Sequence, residues 1–135
     1  LSVGIRLDTL WPNAIKALQT NPLLGTGYST LVKEHVWEFT VAESTDNDYL
    51  RLLGEPGSLG FASFLAIFWV SGQKLWQAYL ASQKQVDYAL FAAALAVTFG
   101  LLVTALYIDV FEASKVAYAY LSFLGLAMAG IYAKK

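Results

Sequence analysis

"YALFAAALAVTFGLLVTALYI", residues 88–108, carries no charged residue. At ~1.5 Å of rise per residue, about 20 apolar residues in a helix cross a ~30 Å hydrocarbon core. Asp87 and Asp109 bracket the run, and Tyr88 and Tyr107 sit at its ends. Amphipathic aromatic rings at both interfaces are what a membrane span predicts. Working outward, two more apolar runs follow the same logic. "VAYAYLSFLGLAMAGIYA", 116–133, is closed by Lys134 and Lys135, and "SLGFASFLAIFWVSGQ", 58–73, is followed by Lys74, Trp76 and Tyr79. Lysine snorkelling and interfacial aromatics can extend that last run to a full crossing. A buried core helix is its competing reading.

Composition agrees with this pattern. The chain has 135 residues, 57% of them hydrophobic and 14% charged. A soluble domain carries about 25% charged residues. There is no cysteine, which excludes disulfide, thiolate and Cys-ligated metal chemistry. A net charge of −1 offers no basic footprint for nucleic acid. The chain opens on leucine within mixed polar and apolar sequence, so we expect a piece of a longer protein, its C-terminal end.

The expected fold is therefore all-α: a polytopic membrane fragment with three transmembrane helices, about 58–76, 88–108 and 116–133. A partly helical loop, 1–57, precedes them. Lys74 and Lys84 lie in the 73–87 connection and Lys134 and Lys135 in the tail, while "DVFEASK", 109–115, is acidic on balance. The positive-inside rule then puts 73–87 and the C-terminus in the cytoplasm. Three spans place residues 1–57 on the outer face.

Within that loop, Leu7, Leu10, Trp11, Ala14, Ile15 and Leu18 recur at helical spacing. Pro12 is tolerable if the helix begins near Thr9 or Leu10. "NPLLGTGYS", 21–29, breaks the chain direction, with Gly25 and Gly27 as backbone-turn residues. "LVKEHVWEF", 31–39, predicts a short helix, with His35 as a surface residue. Asp46 or Ser44 is placed to cap a further helix that runs to about Gly54. Intramembrane Gly and Ala, as in "AAALAVTFG", read as helix-packing surfaces.

Three stretches, "RLDTLW" at 6–11, "NPLLGTGYS" at 21–29 and "DNDYLRLLGEPGSLGF" at 46–61, stand in that order, the last leading into the first apolar run. Together they resemble the O-antigen ligase / O-antigen polymerase family of bacterial membrane glycosyltransferases. The family pattern is an arginine shortly before a tryptophan, then a proline–apolar–Gly-x-Gly turn. It continues with His-Asn-x-x-Leu and a Glu-x-Gly just before a membrane helix. Asp46 stands where ligases carry the histidine, as in polysaccharide-polymerising members. The resemblance implies transfer of a glycan from an undecaprenyl-pyrophosphate carrier to a saccharide or lipid-linked saccharide acceptor. It also implies the outer face of the inner membrane, a role in polysaccharide or lipopolysaccharide biosynthesis, and no metal or other cofactor.

The chemistry can be read from the residues as well. A departing pyrophosphate needs a cation, and arginine supplies a planar fork of donors. An acceptor hydroxyl needs a base, and a positioned carboxylate serves. Arg6 and Arg51 are the only two arginines, and both lie in the loop. Arg6, Arg51 and Asn47 are thus the candidate substrate-binding residues, and Asp46 and Glu55 the candidate catalytic ones. Each has an ordinary alternative. Arg6 can flank a helix in solvent, Arg51 and Glu55 can pair at i,i+4, Asp46 can cap a helix and Asn47 can support a turn. At the level of function, the alternatives are a non-catalytic component of polysaccharide export or a sensor's membrane anchor. The isolated piece is expected to be inactive, because most of the donor channel would come from other helices.

Overall fold

The computed structural model describes residues 3–28, 30–31 and 45–132. Among the described residues the regular structure is all helical, with no strand. In order come α1 (Val3–Ile5), a π-helical turn (Arg6–Leu10), α2 (Trp11–Thr20), α3 (Asp48–Gly54), α4 (Gly57–Ala81), α5 (Gln85–Thr104) and α6 (Ser114–Tyr132). The predicted helix over 31–39 and His35 lie outside the described residues, apart from Leu31, which sits in a turn. The chain divides into two compact units. The first is Leu1–Phe64 with Ala105–Asp109, and the second is Leu65–Thr104 with Val110–Lys135.

In the first unit the helix around Pro12 starts earlier than its sequence suggested. Helical backbone already runs from Val3, and Pro12 falls in the first turn of α2. A proline ring collides with the carbonyl four residues back. Here that residue is Asp8, inside the widened π-helical turn, where the ladder is already displaced. The buried stripe is also narrower than the spacing predicted. Leu10, Ala14 and Ala17 are buried, whereas Leu7 and Ile15 are exposed. Small residues suit the contact with α3: a Cβ on Gly54 would lie 3.1 Å from the Ala14 carbonyl and 3.4 Å from the Ala17 Cβ.

In the second unit, α5 and α6 pack through Phe91, Ala94 and Thr98 on one and Tyr120, Leu124 and Ala127 on the other, all buried. The Thr98 hydroxyl lies 2.8 Å from the Tyr120 hydroxyl, so both polar groups are satisfied inside. Phe68 of α4 stacks on Tyr120 with ring centroids 6.0 Å apart. The packing expectation for small residues holds at Ala94, which is fully buried. Gly100 has nothing within 4 Å of where a Cβ would stand.

Two helices, Gln85–Thr104 and Lys115–Tyr132, are long and apolar enough to cross a membrane. Only 17% of each apolar window is buried within the chain. A core helix of a soluble protein would hide most of such a surface. The third expected span does not reach that standard of hydropathy, because Gln73, Lys74 and Gln77 interrupt α4. Lys74, expected in the 73–87 connection, lies inside α4 and donates to the Tyr132 hydroxyl at 2.9 Å. The expected 88–108 helix is also displaced: it opens at Gln85 and stops at Thr104. Its stop has a tertiary cause. The Ala105 carbonyl accepts the Asp48 N–H at 3.0 Å, and the Leu106 carbonyl accepts the Asn47 side-chain amide at 3.1 Å. Those carbonyls would otherwise receive donors from the next helical turn.

Candidate functional site

All of the sequence-predicted site residues fall in the first unit. Its frame is a backbone joint between two distant stretches. Thr26 N–H donates to the Gly54 carbonyl and Gly27 N–H to the Glu55 carbonyl, each at 3.0 Å. Ser58 N–H and Leu59 N–H donate to the carbonyls of Pro22 and Leu23 at 3.0 and 3.2 Å. Gly25 and Gly57 make the joint feasible. Their φ angles are +67° and +73°, and a Cβ on Gly25 would lie 2.0 Å from the Glu55 carbonyl oxygen. Only glycine combines that conformation with so close a backbone approach. Gly25 and Gly27 are therefore turn and contact residues, as their sequence setting suggested.

α3 carries the charges. Its N-cap is Asn47, whose side-chain oxygen accepts the Leu50 N–H at 3.0 Å. Asp46 does not take that position, and Ser44 lies outside the described residues. Asn47 has the extended backbone a cap requires, whereas Asp46 precedes it in the left-handed region, with φ 49°. Arg51, one turn into the helix, forms an ion pair with Glu55, Nε to Oε2 at 3.3 Å, and donates to Asp109 Oδ2 at 3.4 Å through Nη1. The sequence offered Arg51–Glu55 as a surface helix pair. In the structure the two residues are only 6% and 2% exposed, and Asp109 joins them. Glu55 also accepts the Leu31 N–H at 3.3 Å.

Arg6 and Asp46 form a second, more open pair. Arg6 Nε donates to Asp46 Oδ2 at 3.2 Å, and the side chains are 21% and 13% exposed. Forty positions separate them in the chain, so tertiary structure alone makes this contact. Arg6 opens the π-helical turn, an irregularity that often accompanies functional positions. It is thus a partner to a carboxylate, not a solvated flank. Beside the cluster, Tyr49 meets the ring edges of Phe61 and Phe64, with centroids 6.3 and 6.5 Å away. Burial, and after it the Asp48 carboxylate, raises the Tyr49 phenol above its ordinary range, so it stays a neutral hydroxyl.

The structure therefore sorts the five predicted residues into two sets. Arg6 and Asp46 are paired and partly open. Arg51, Glu55 and Asn47 are buried around Asp109. Sequence reading missed Asp109 and Thr45 as members. A signal existed for Asp109: it is an acidic residue directly after an apolar run, on the side that the lysine count assigns to residues 1–57. Thr45 gave none. Among the described residues, no group of three or more His, Asp or Glu side chains could hold a metal ion.

No family model matches this sequence, and no curated protein matches it. The functional reading therefore rests on the residues themselves.

Proposed function

We propose that the chain is the C-terminal part of a polytopic glycosyltransferase of the bacterial inner membrane, of the O-antigen ligase / polymerase type. The observation that carries this reading is the Arg6–Asp46 pair, a cation and a carboxylate held together in a partly open position. Around it, the stretches on which the family resemblance rests are bonded into one unit: Arg6 to Asp46, and 21–27 to 54–59. The exposed apolar faces of α5 and α6 fit lipid or further helices. α4 joins them as a third span: its 25 residues extend over roughly 37 Å, longer than the ~30 Å core. Bonding of 105–109 to 45–51 fits a common outer side for both.

In the proposed reaction, Arg6 binds the pyrophosphate of an undecaprenyl-linked glycan. A phosphate offers its guanidinium a bidentate partner, so donor binding draws Arg6 from Asp46. The freed Asp46 carboxylate accepts the proton of an acceptor sugar hydroxyl. The hydroxyl oxygen bonds to the anomeric carbon of the donor glycan. The bond from that carbon to the pyrophosphate breaks, and its electron pair leaves with the phosphate oxygen, whose charge Arg6 balances. The proton ends on Asp46 and then passes to solvent. Arg51, Glu55 and Asn47 hold the segment in place. The buried, mutually paired state of Glu55 suits support better than proton transfer, so Asp46 is the proposed base.

The test uses full-length protein reconstituted in liposomes with an undecaprenyl-pyrophosphate glycan and a saccharide acceptor. Wild type should transfer the glycan. Arg6→Lys keeps the charge but loses the planar fork, and should cost about 10- to 100-fold in transfer, the worth of one charge-assisted hydrogen bond. Absence of transfer with every donor and acceptor offered would favour a non-catalytic export component, and full activity in Arg6→Lys would remove Arg6 from the donor site.

A further inference from the structure

Resting on the proposed role of Asp46, we infer that Asp109 is the positioning residue of this site, acting through Asp46. Its carboxylate grips both chain neighbours of Asp46. The Thr45 hydroxyl lies 3.2 Å from each of its two oxygens, and the Asn47 N–H donates to Oδ1 at 2.8 Å. Arg51 Nη1, 3.4 Å from Oδ2, balances its charge, and the Asp109 side chain is 5% exposed. Two further bonds tie the same stretch to residues 105–106: Asp48 N–H to the Ala105 carbonyl and the Asn47 side-chain amide to the Leu106 carbonyl.

The consequence falls on residue 46. Holding the residue before it and the residue after it on one carboxylate closes a tight turn about Asp46. The backbone there takes φ 49°, a left-handed conformation in which aspartate and asparagine are several-fold enriched among non-glycine residues. That turn delivers the Asp46 carboxylate to Arg6 Nε at 3.2 Å. Asp109 thus sets where the base stands and how firmly it competes for Arg6.

Competition makes the inference measurable without knowing the glycan. Inorganic pyrophosphate is titrated against the full-length protein in detergent micelles. Removing Asp46 as a competitor, in Asp46→Asn, should tighten pyrophosphate binding about threefold, the scale of a partly exposed ion pair. Asp109→Asn should tighten it similarly by loosening Asp46, a gain that simple structural damage would not produce. In the Asp46→Asn background, Asp109→Asn should change affinity no further. Thr45→Val removes one arm of the grip while leaving the charged network intact, and should tighten binding about 1.5- to 2-fold; it decides the matter if Asp109→Asn fails to fold. Additive effects of Asp109→Asn and Asp46→Asn would overturn the inference, as would wild-type affinity in both Asp109→Asn and Thr45→Val. Either outcome leaves the anion site standing if Arg6→Gln still weakens binding. Unchanged binding in Arg6→Gln would instead remove the site reading itself.

Discussion

Replacing Arg51 with methionine should open the first unit, whereas the same change at Arg6 should not. Arg51→Met removes the cation that faces Glu55 and Asp109, whose side chains are 3% and 5% exposed. Breaking a buried ion pair from one side costs about 3–5 kcal/mol, because a carboxylate is left uncompensated. Both carboxylates keep other donors here: Asn47 N–H at 2.8 Å and the Thr45 hydroxyl on Asp109, and Leu31 N–H on Glu55. The lower end, about 3 kcal/mol, is therefore expected. At 1.4 kcal/mol per factor of ten, that is roughly a 10²-fold rise in the open population. Limited proteolysis of the full-length protein in detergent reads this directly, since cleavage follows the open fraction when reclosing is fast. Cleavage within 45–55 should accelerate about 10²-fold in Arg51→Met, and by less than about fivefold in Arg6→Met, whose pair is more exposed. Adding Glu55→Gln and Asp109→Asn to Arg51→Met should recover most of the protection, because neither carboxylate that faced Arg51 is then left charged and buried. Wild-type protease resistance in Arg51→Met would refute the idea that this network holds the unit together.

Two other outcomes follow from the geometry. Gly25→Ala must accommodate a Cβ 2.0 Å from the Glu55 carbonyl oxygen at φ +67°. It should cost about 3 kcal/mol, the sum of a left-handed alanine and two lost backbone bonds, seen as a lower thermal midpoint in detergent. Gly100→Ala, with nothing within 4 Å, should leave that midpoint unchanged or slightly raised. For topology, a cysteine at Tyr28, which is 87% exposed, should react with a membrane-impermeant thiol reagent in intact spheroplasts, and one at Gln83 should not. This chain has no cysteine of its own to interfere. The reverse pattern would invert the proposed orientation.

What the sequence made legible was set by local physics. Uniform apolarity marked α5 and α6, and Pro22, Gly25 and Gly27 marked a turn, because hydropathy and turn chemistry act over a few neighbouring residues. The end of α5 was not legible. Residues Ala105–Ile108 are apolar enough to continue a helix, yet the Ala105 and Leu106 carbonyls serve donors from Asp48 and Asn47, more than fifty positions away. The cap of α3 was misplaced for a related reason. Asp46 and Asn47 are both good cap residues, and the contacts that hold Asn47, to Asp109 and to the Leu106 carbonyl, come from far along the chain. The Arg6–Asp46 contact joined two residues singled out separately for phosphate and proton chemistry, but nothing local to either shows that they meet.

The most direct measurement of the central claim takes kcat and the donor KM together for Asp46→Asn in the reconstituted full-length protein. Asparagine tolerates the left-handed backbone at this position, so the substitution removes the charge and the base while leaving the turn. If Asp46 is both the resting partner of Arg6 and the proton acceptor, kcat should fall about 10²-fold or more, the scale of general-base catalysis. The donor KM should at the same time stay level or decrease, because Arg6 is released to the pyrophosphate. A wild-type kcat in Asp46→Asn, or a raised donor KM with kcat unchanged, would contradict the account.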